Sequence, residues 1–87
     1  MKPKYRRYNR DLVRLVKDHF TVGSRVVLNH MDDEQAPPLG TKGTVFCVDD
    51  LGTVHVNWDN GSTLGAVILD GDSISIIKEV SNGSDES

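Results

Sequence analysis

At 87 residues, with 37% apolar and 26% charged side chains, the chain has the composition of one soluble domain and is too short for two. A chain this size buries only about 60% of its unfolded surface, and its single Trp implies a small core, so function is expected on a surface rather than in a deep cleft. The net charge of −3 hides an asymmetry: Lys2, Lys4, Arg6, Arg7, Arg10, Arg14 and Lys17 against Asp11 and Asp18 give the first twenty residues +5, leaving −8 for the rest.

Residues 1–9 read as a basic arm. Asn9 is a suitable helix cap, and Leu12, Leu15, Val16 and Phe20 form one apolar stripe, which predicts an amphipathic helix over residues 10–20. A helix of about ten residues is marginal alone in water, so its stripe is expected to pack on the rest of the chain. Gly23 ends that period and a different one begins.

From Arg25 onward the sequence runs as "RVVLN", "GTVFCV", "TVHVNW", "STLGAVIL" and "SISII", short β-branched stretches separated by turn residues. The expected fold is mainly β: a small five-stranded antiparallel barrel over residues 21–79 with one short N-terminal α-helix, closed or nearly closed so that its edges are hidden. In the third run Val54, Val56 and Trp58 alternate with Thr53, His55 and Asn57, one face for the core and one for water. "DDLG" joins strands two and three, and Asn60-Gly61 is expected to supply positive φ angles to a tight hairpin between strands three and four. Pro37 and Pro38 stiffen the one long connection, residues 31–40, which is expected to cross the surface as an extended segment. The polar tail, residues 80–87, is expected to be disordered.

Cys47 is the sole cysteine, which excludes an internal disulfide and a C-x-x-C metal pair, and it is read as a core or half-buried side chain. "MKPKYRRYNR" has no apolar run of signal type, and no stretch approaches about eighteen apolar residues, so a cytoplasmic protein without a membrane partner is expected. His19, His30 and His55 match no zinc spacing, and Asp32, Asp33, Glu34, Asp49, Asp50, Asp59, Asp70 and Asp72 match no EF-hand; Asp is favoured in turns because it bonds its own backbone. No metal or cofactor is therefore expected. "GTKGT" lacks phosphate-loop spacing and leads into a strand, and no nucleophile or acid–base motif occurs, so the chain is not read as an enzyme.

Two charge readings stand beside these. Lys4, Tyr5, Arg6, Arg7, Tyr8 and Arg10 interleave cations with aromatic rings, which suits nucleic acid bound through residues 1–17 as an alternative, but the favoured reading has the arm lie on the acidic body, its own or a neighbour's, and neutralise it. The body, at −8, could instead imitate nucleic-acid charge and inhibit a host nuclease or defence enzyme.

Gly23-Ser24-Arg25-Val26, Met31-Asp32-Asp33, Pro37-Pro38, Gly40-Thr41-Lys42-Gly43-Thr44-Val45, Val48-Asp49-Asp50, Gly52 and "WDNGSTL" occur in an order that resembles the small bacterial and phage family called domain of unknown function 4314, over about two-thirds of the chain. That resemblance implies a compact SH3-like barrel with a leading helix, often carried by mobile elements, and no known activity. The "V-x-W-D-N-G-S" rhythm is more loosely similar to the Mib-Herc2 domain of eukaryotic ubiquitin ligases, a barrel that binds protein segments. The likeness implies a binding or adaptor module with a protein partner. A shallow groove between loops would carry the contact, with Asp32, Asp33, Pro37, Pro38, Asp49, Asp50, Asp59 and Asn60 as its candidate residues.

Overall fold

A computed structural model describes residues 10–78; the expected basic arm and polar tail lie outside the described residues. Helix α1, Arg10–His19, forms where the periodicity placed it, and the Phe20 N–H closes its last turn on the Val16 carbonyl at 2.9 Å. Its buried face is the expected one only in part. Val13, Val16 and Phe20 pack inward, while Leu12 and Leu15 stay 47% and 62% exposed. Both sets satisfy a helical repeat, so local pattern could not choose between them. The surface beneath chooses: Val13 sits over the glycine of "DDLG", where a Cβ at Gly52 would lie 3.7 Å from Val13 Cγ2 and 3.2 Å from Leu69 Cδ1.

Five strands follow: β1 Arg25–His30, β2 Lys42–Val48, β3 Thr53–Trp58, β4 Ala66–Val67 and β5 Ser73–Ile76. All neighbouring pairs are antiparallel, in the order β4-β3-β2-β1-β5, and a 3-10 turn over Ile68–Asp70 links β4 to β5. This is a mainly β, small SH3-like arrangement. The core beneath the sheet is built from Val26, Leu28, Val45, Val54, Val56 and Trp58, with Ala66 and Ile74 from the short strands and Val16 and Phe20 from the helical segment. Val54, Val56 and Trp58 all face inward, as their alternation requires.

Several local expectations are corrected. The run "STLGAVIL" supplies only two strand residues before the chain tightens into the 3-10 turn, so β4 is too short to pair with β5. The barrel is left unclosed between its edge strands. What joins them there is the Asp72 side chain, whose Oδ2 accepts the Val67 N–H at 2.8 Å, and the Asp72 N–H, which reaches the Val67 carbonyl at 3.2 Å.

Cys47 is exposed rather than part of the core. The register explains this: Val45 pairs with Val56 and Cys47 with His55, so Phe46 is the extra residue of a bulge. The bulge resets the alternation and carries Cys47 to the outer face beside His55.

The hairpin after β3 also differs from the expected form. Gly61 has φ 95°, but Asn60 has no positive φ. The Gly61 N–H bonds the Trp58 carbonyl at 2.9 Å, and the Trp58 N–H bonds the Ser62 carbonyl at 3.0 Å, which marks a three-residue loop with one left-handed residue at its end. Only that last position needs glycine.

Candidate functional site

The three loops expected to form a groove are best judged by what their side chains already hold. In the turn after β3, Arg25 reaches from β1 and grips Asp59 with two bonds, Nη1 to Oδ1 at 2.9 Å and Nη2 to Oδ2 at 2.7 Å, while Nη1 also bonds Thr44 Oγ1 at 3.0 Å. Asn60 Oδ1 accepts the Ser62 N–H at 3.1 Å. The Arg25 hydrogen bonds, against a smaller opposing effect of desolvation and helped by the charges of Arg25 and Lys42, hold the Asp59 carboxyl below its ordinary value of 3.8. Both residues act as turn fixtures.

The connection over residues 31–40 is not an extended surface crossing. Met31 and Pro37 are buried, and Asp33 makes a turn by accepting the Gln35 N–H on Oδ1 at 2.7 Å and the Ala36 N–H on its carbonyl at 3.0 Å. The Pro38 carbonyl accepts both the N–H and the hydroxyl of Thr41, at 3.0 and 2.6 Å. Pro37 is thus a packing residue. Asp32 stays exposed, its carboxylate 3.9 Å from His30 Nε2.

In the β2–β3 turn, Asp49 Oδ1 accepts the N–H groups of Leu51 and Thr53 at 2.9 and 3.0 Å. Its Oδ2 lies 3.0 Å from His55 Nε2. An ionised carboxylate only accepts, so that ring nitrogen carries the proton. Burial acts to raise the Asp49 pKa, but the His55 hydrogen bond, the Thr53 and Leu51 amides and the His55 charge together bring it below 3.8. With both Asp49 and Asp59 lowered in the folded state, their stabilisation is complete above the unfolded carboxyl range and is lost as pH falls through the folded values. Thermal midpoints should therefore drop as pH is taken from about 5 toward 2. Asp49→Asn should flatten that drop in part, and equal pH dependence in the two proteins would contradict the assignment.

The register separates the loops. Gly43 pairs with Trp58 at one end of the β2–β3 ladder and Val48 with Val54 at the other. At about 3.3 Å per residue the Asp59 turn and the Asp49 turn stand about 16 Å apart, at opposite ends of the ladder. The two turns do not share one concave rim.

A different concavity is present. A groove of about 480 Å³ runs between α1 and the β2–β3 turn, lined by Arg10, Val13, Arg14, Lys17, Asp18 and Asp50. Arg10, Arg14 and Lys17 follow one another at i, i+4 and i+7, so the helix presents all three on one flank. Lys17 Nζ bonds Asp50 Oδ1 at 2.9 Å across the groove. Leu12 and Leu15 lie about half a turn round the helix from these cations. The sequence pattern counted the three cations among the basic residues of positions 1–17 without showing their common flank, although their spacing carried the signal.

Of the candidate loop residues, the groove takes in Asp50, and of the candidate nucleic-acid residues it takes in Arg10. Lys4, Tyr5, Arg6, Arg7 and Tyr8 lie outside the described residues. Among the described residues no group of three or more His, Cys, Asp or Glu is placed to hold a metal ion, and no helix is long and apolar enough to cross a membrane. Comparison with known families finds a match to the model described as domain of unknown function (DUF4314), over residues 9–77. No curated protein and no solved structure matches the chain.

Proposed function

We propose, for a chain that belongs to the DUF4314 family, that it is a non-enzymatic binding module and that the groove between α1 and the β2–β3 turn takes up an acidic segment of a partner protein. The observation that carries this reading is the row of Arg10, Arg14 and Lys17 along a concave surface of about 480 Å³. Asp49, Asp59, Asn60 and Asp33, by contrast, already hold turns or ion pairs. Val13 at the groove floor adds an apolar contact.

The lining favours polypeptide over nucleic acid. Asp18 and Asp50 stand among the cations, and a phosphate backbone, charged at every step, would meet both of them. A peptide whose carboxylates alternate with amides or lysines pairs with the mixed lining. We place this activity in the cytoplasm of a bacterium or its phages, on the strength of the family resemblance and the lone cysteine.

The test is titration of the isotope-labelled protein with a Glu-rich peptide containing interspersed Lys, and in parallel with a single-stranded oligonucleotide, at low and high salt. The peptide is expected to shift amides of α1 and of the β2–β3 turn, more weakly as salt rises. Arg10→Ala and Arg14→Ala should each weaken binding by about two- to five-fold, the range for exposed ion pairs. Shifts that avoid α1 would overturn the reading. Oligonucleotide binding in place of peptide binding would transfer the groove to nucleic acid.

A further inference from the structure

Among the described residues, Lys17 is the groove cation held by a carboxylate of the chain itself. Its ammonium is held by Asp50, at 2.9 Å, through an ion pair in which the Asp50 side chain is 97% exposed. The Asp50 carboxylate bonds Lys17 rather than the backbone of its own turn. The turn is built by Asp49, which accepts the Leu51 and Thr53 amides on its side chain and the Gly52 N–H on its backbone carbonyl at 3.0 Å. The position thus places a carboxylate over a groove cation while Asp49 supplies the side-chain bonds of the turn.

We infer that Asp50 is an internal competitor for the partner: its carboxylate occupies on Lys17 the place that a carboxylate of the incoming segment takes on binding. This rests on the proposed function. The geometry makes the exchange inexpensive, because both members of the pair face water and the departing Asp50 is resolvated at once. Arg14 and Arg10 lie about one and two turns nearer the N-terminus, about 10 Å from Lys17 to the far end of the row. They supply the first attachment, and displacement of Asp50 completes it. The pair therefore sets a threshold: a segment with a single carboxylate gains little, whereas one with carboxylates spaced along the row gains at each cation.

The experiment measures affinity for the same Glu-rich peptide in four proteins: unmodified, Asp50→Asn, Lys17→Ala and the double variant. Asp50→Asn is expected to bind about two- to five-fold more tightly, the inverse of what one exposed ion pair contributes. The gain is expected to vanish when Lys17 is alanine. Asp18→Asn, which removes a charge from the same groove, controls for net charge and should give a smaller gain. Equal gains from Asp50→Asn with and without Lys17, or from Asp18→Asn and Asp50→Asn, overturn the competitor role while leaving the groove in place. Absence of peptide binding in every protein overturns the proposed function and this inference together. Melting curves of the four proteins check that folding is unchanged.

Discussion

Replacing Trp58 with alanine is expected to remove about 3–5 kcal/mol of stability, the cost of truncating a large buried aromatic side chain. Trp58 is 3% exposed and ends β3 at the centre of the core, where it packs with Val45, Val56 and their neighbours. Its indole N–H bonds the Leu64 carbonyl at 2.8 Å, so the ring also fastens the segment that leads from the hairpin into β4. An 87-residue chain is worth roughly 4–13 kcal/mol in total at about 0.05–0.15 kcal/mol per residue, so the alanine variant should lose a large share of its stability. Trp58→Phe separates the two contributions. It keeps most of the packing, leaves the Leu64 carbonyl without its donor and should cost about 1–3 kcal/mol. Urea unfolding followed by far-ultraviolet circular dichroism reads both, since the chain's only tryptophan is the residue removed. An alanine variant within about 1 kcal/mol of the parent would show that the core does not depend on this ring.

The second large effect belongs to Gly43, which opens the run "GTVFCV" in the sequence without showing there what it faces. It lies inside β2, opposite Trp58, where a Cβ would come 2.5 Å from Val56 Cγ1, 2.9 Å from the Asn57 carbonyl oxygen and 2.9 Å from Trp58 Cε3. The backbone oxygen cannot rotate away, so a methyl group must push β2 from β3 or unseat the indole. Gly43→Ala should cost at least about 1–3 kcal/mol, the range for overpacking, and Gly43→Val more.

Gly61 is the useful contrast. Nothing lies within 4 Å of a Cβ there, but φ is 95°, so Gly61→Ala should cost about 1–2 kcal/mol for conformation alone. Asparagine tolerates that backbone region and should recover part of the loss at Gly61 but none at Gly43. Equal behaviour of the two glycines toward alanine and asparagine would refute the steric account of Gly43.

The candidate site was less legible than the core, for a reason visible in particular residues. Asp59 and Asn60 were conspicuous because "WDNG" is conspicuous, but the partner of Asp59 is Arg25, 34 positions earlier in the chain, and no local pattern announces that pairing. Pro37 suggested a stiff exposed strap, yet it is buried with Met31 because the loop folds back on itself at Asp33. The groove at α1 needed both the rotation of the helix and the position of Asp50, each decided by contacts remote in sequence.

By itself the sequence determined the mainly β class, the helix over Arg10–His19, the alternation that sends Val54, Val56 and Trp58 inward, and the family. These follow from periods of two and about 3.6 residues and from ordered motifs, which are properties of neighbours along the chain. Tertiary structure alone decided which face of the helix is buried, that the bulge at Phe46 turns Cys47 outward, and that the barrel stays unclosed. It also decided which carboxylates are occupied and which one lies across the groove. Each of those outcomes depends on what a side chain meets from another part of the chain, where steric fit and charge pairing choose between alternatives that local pattern leaves equal.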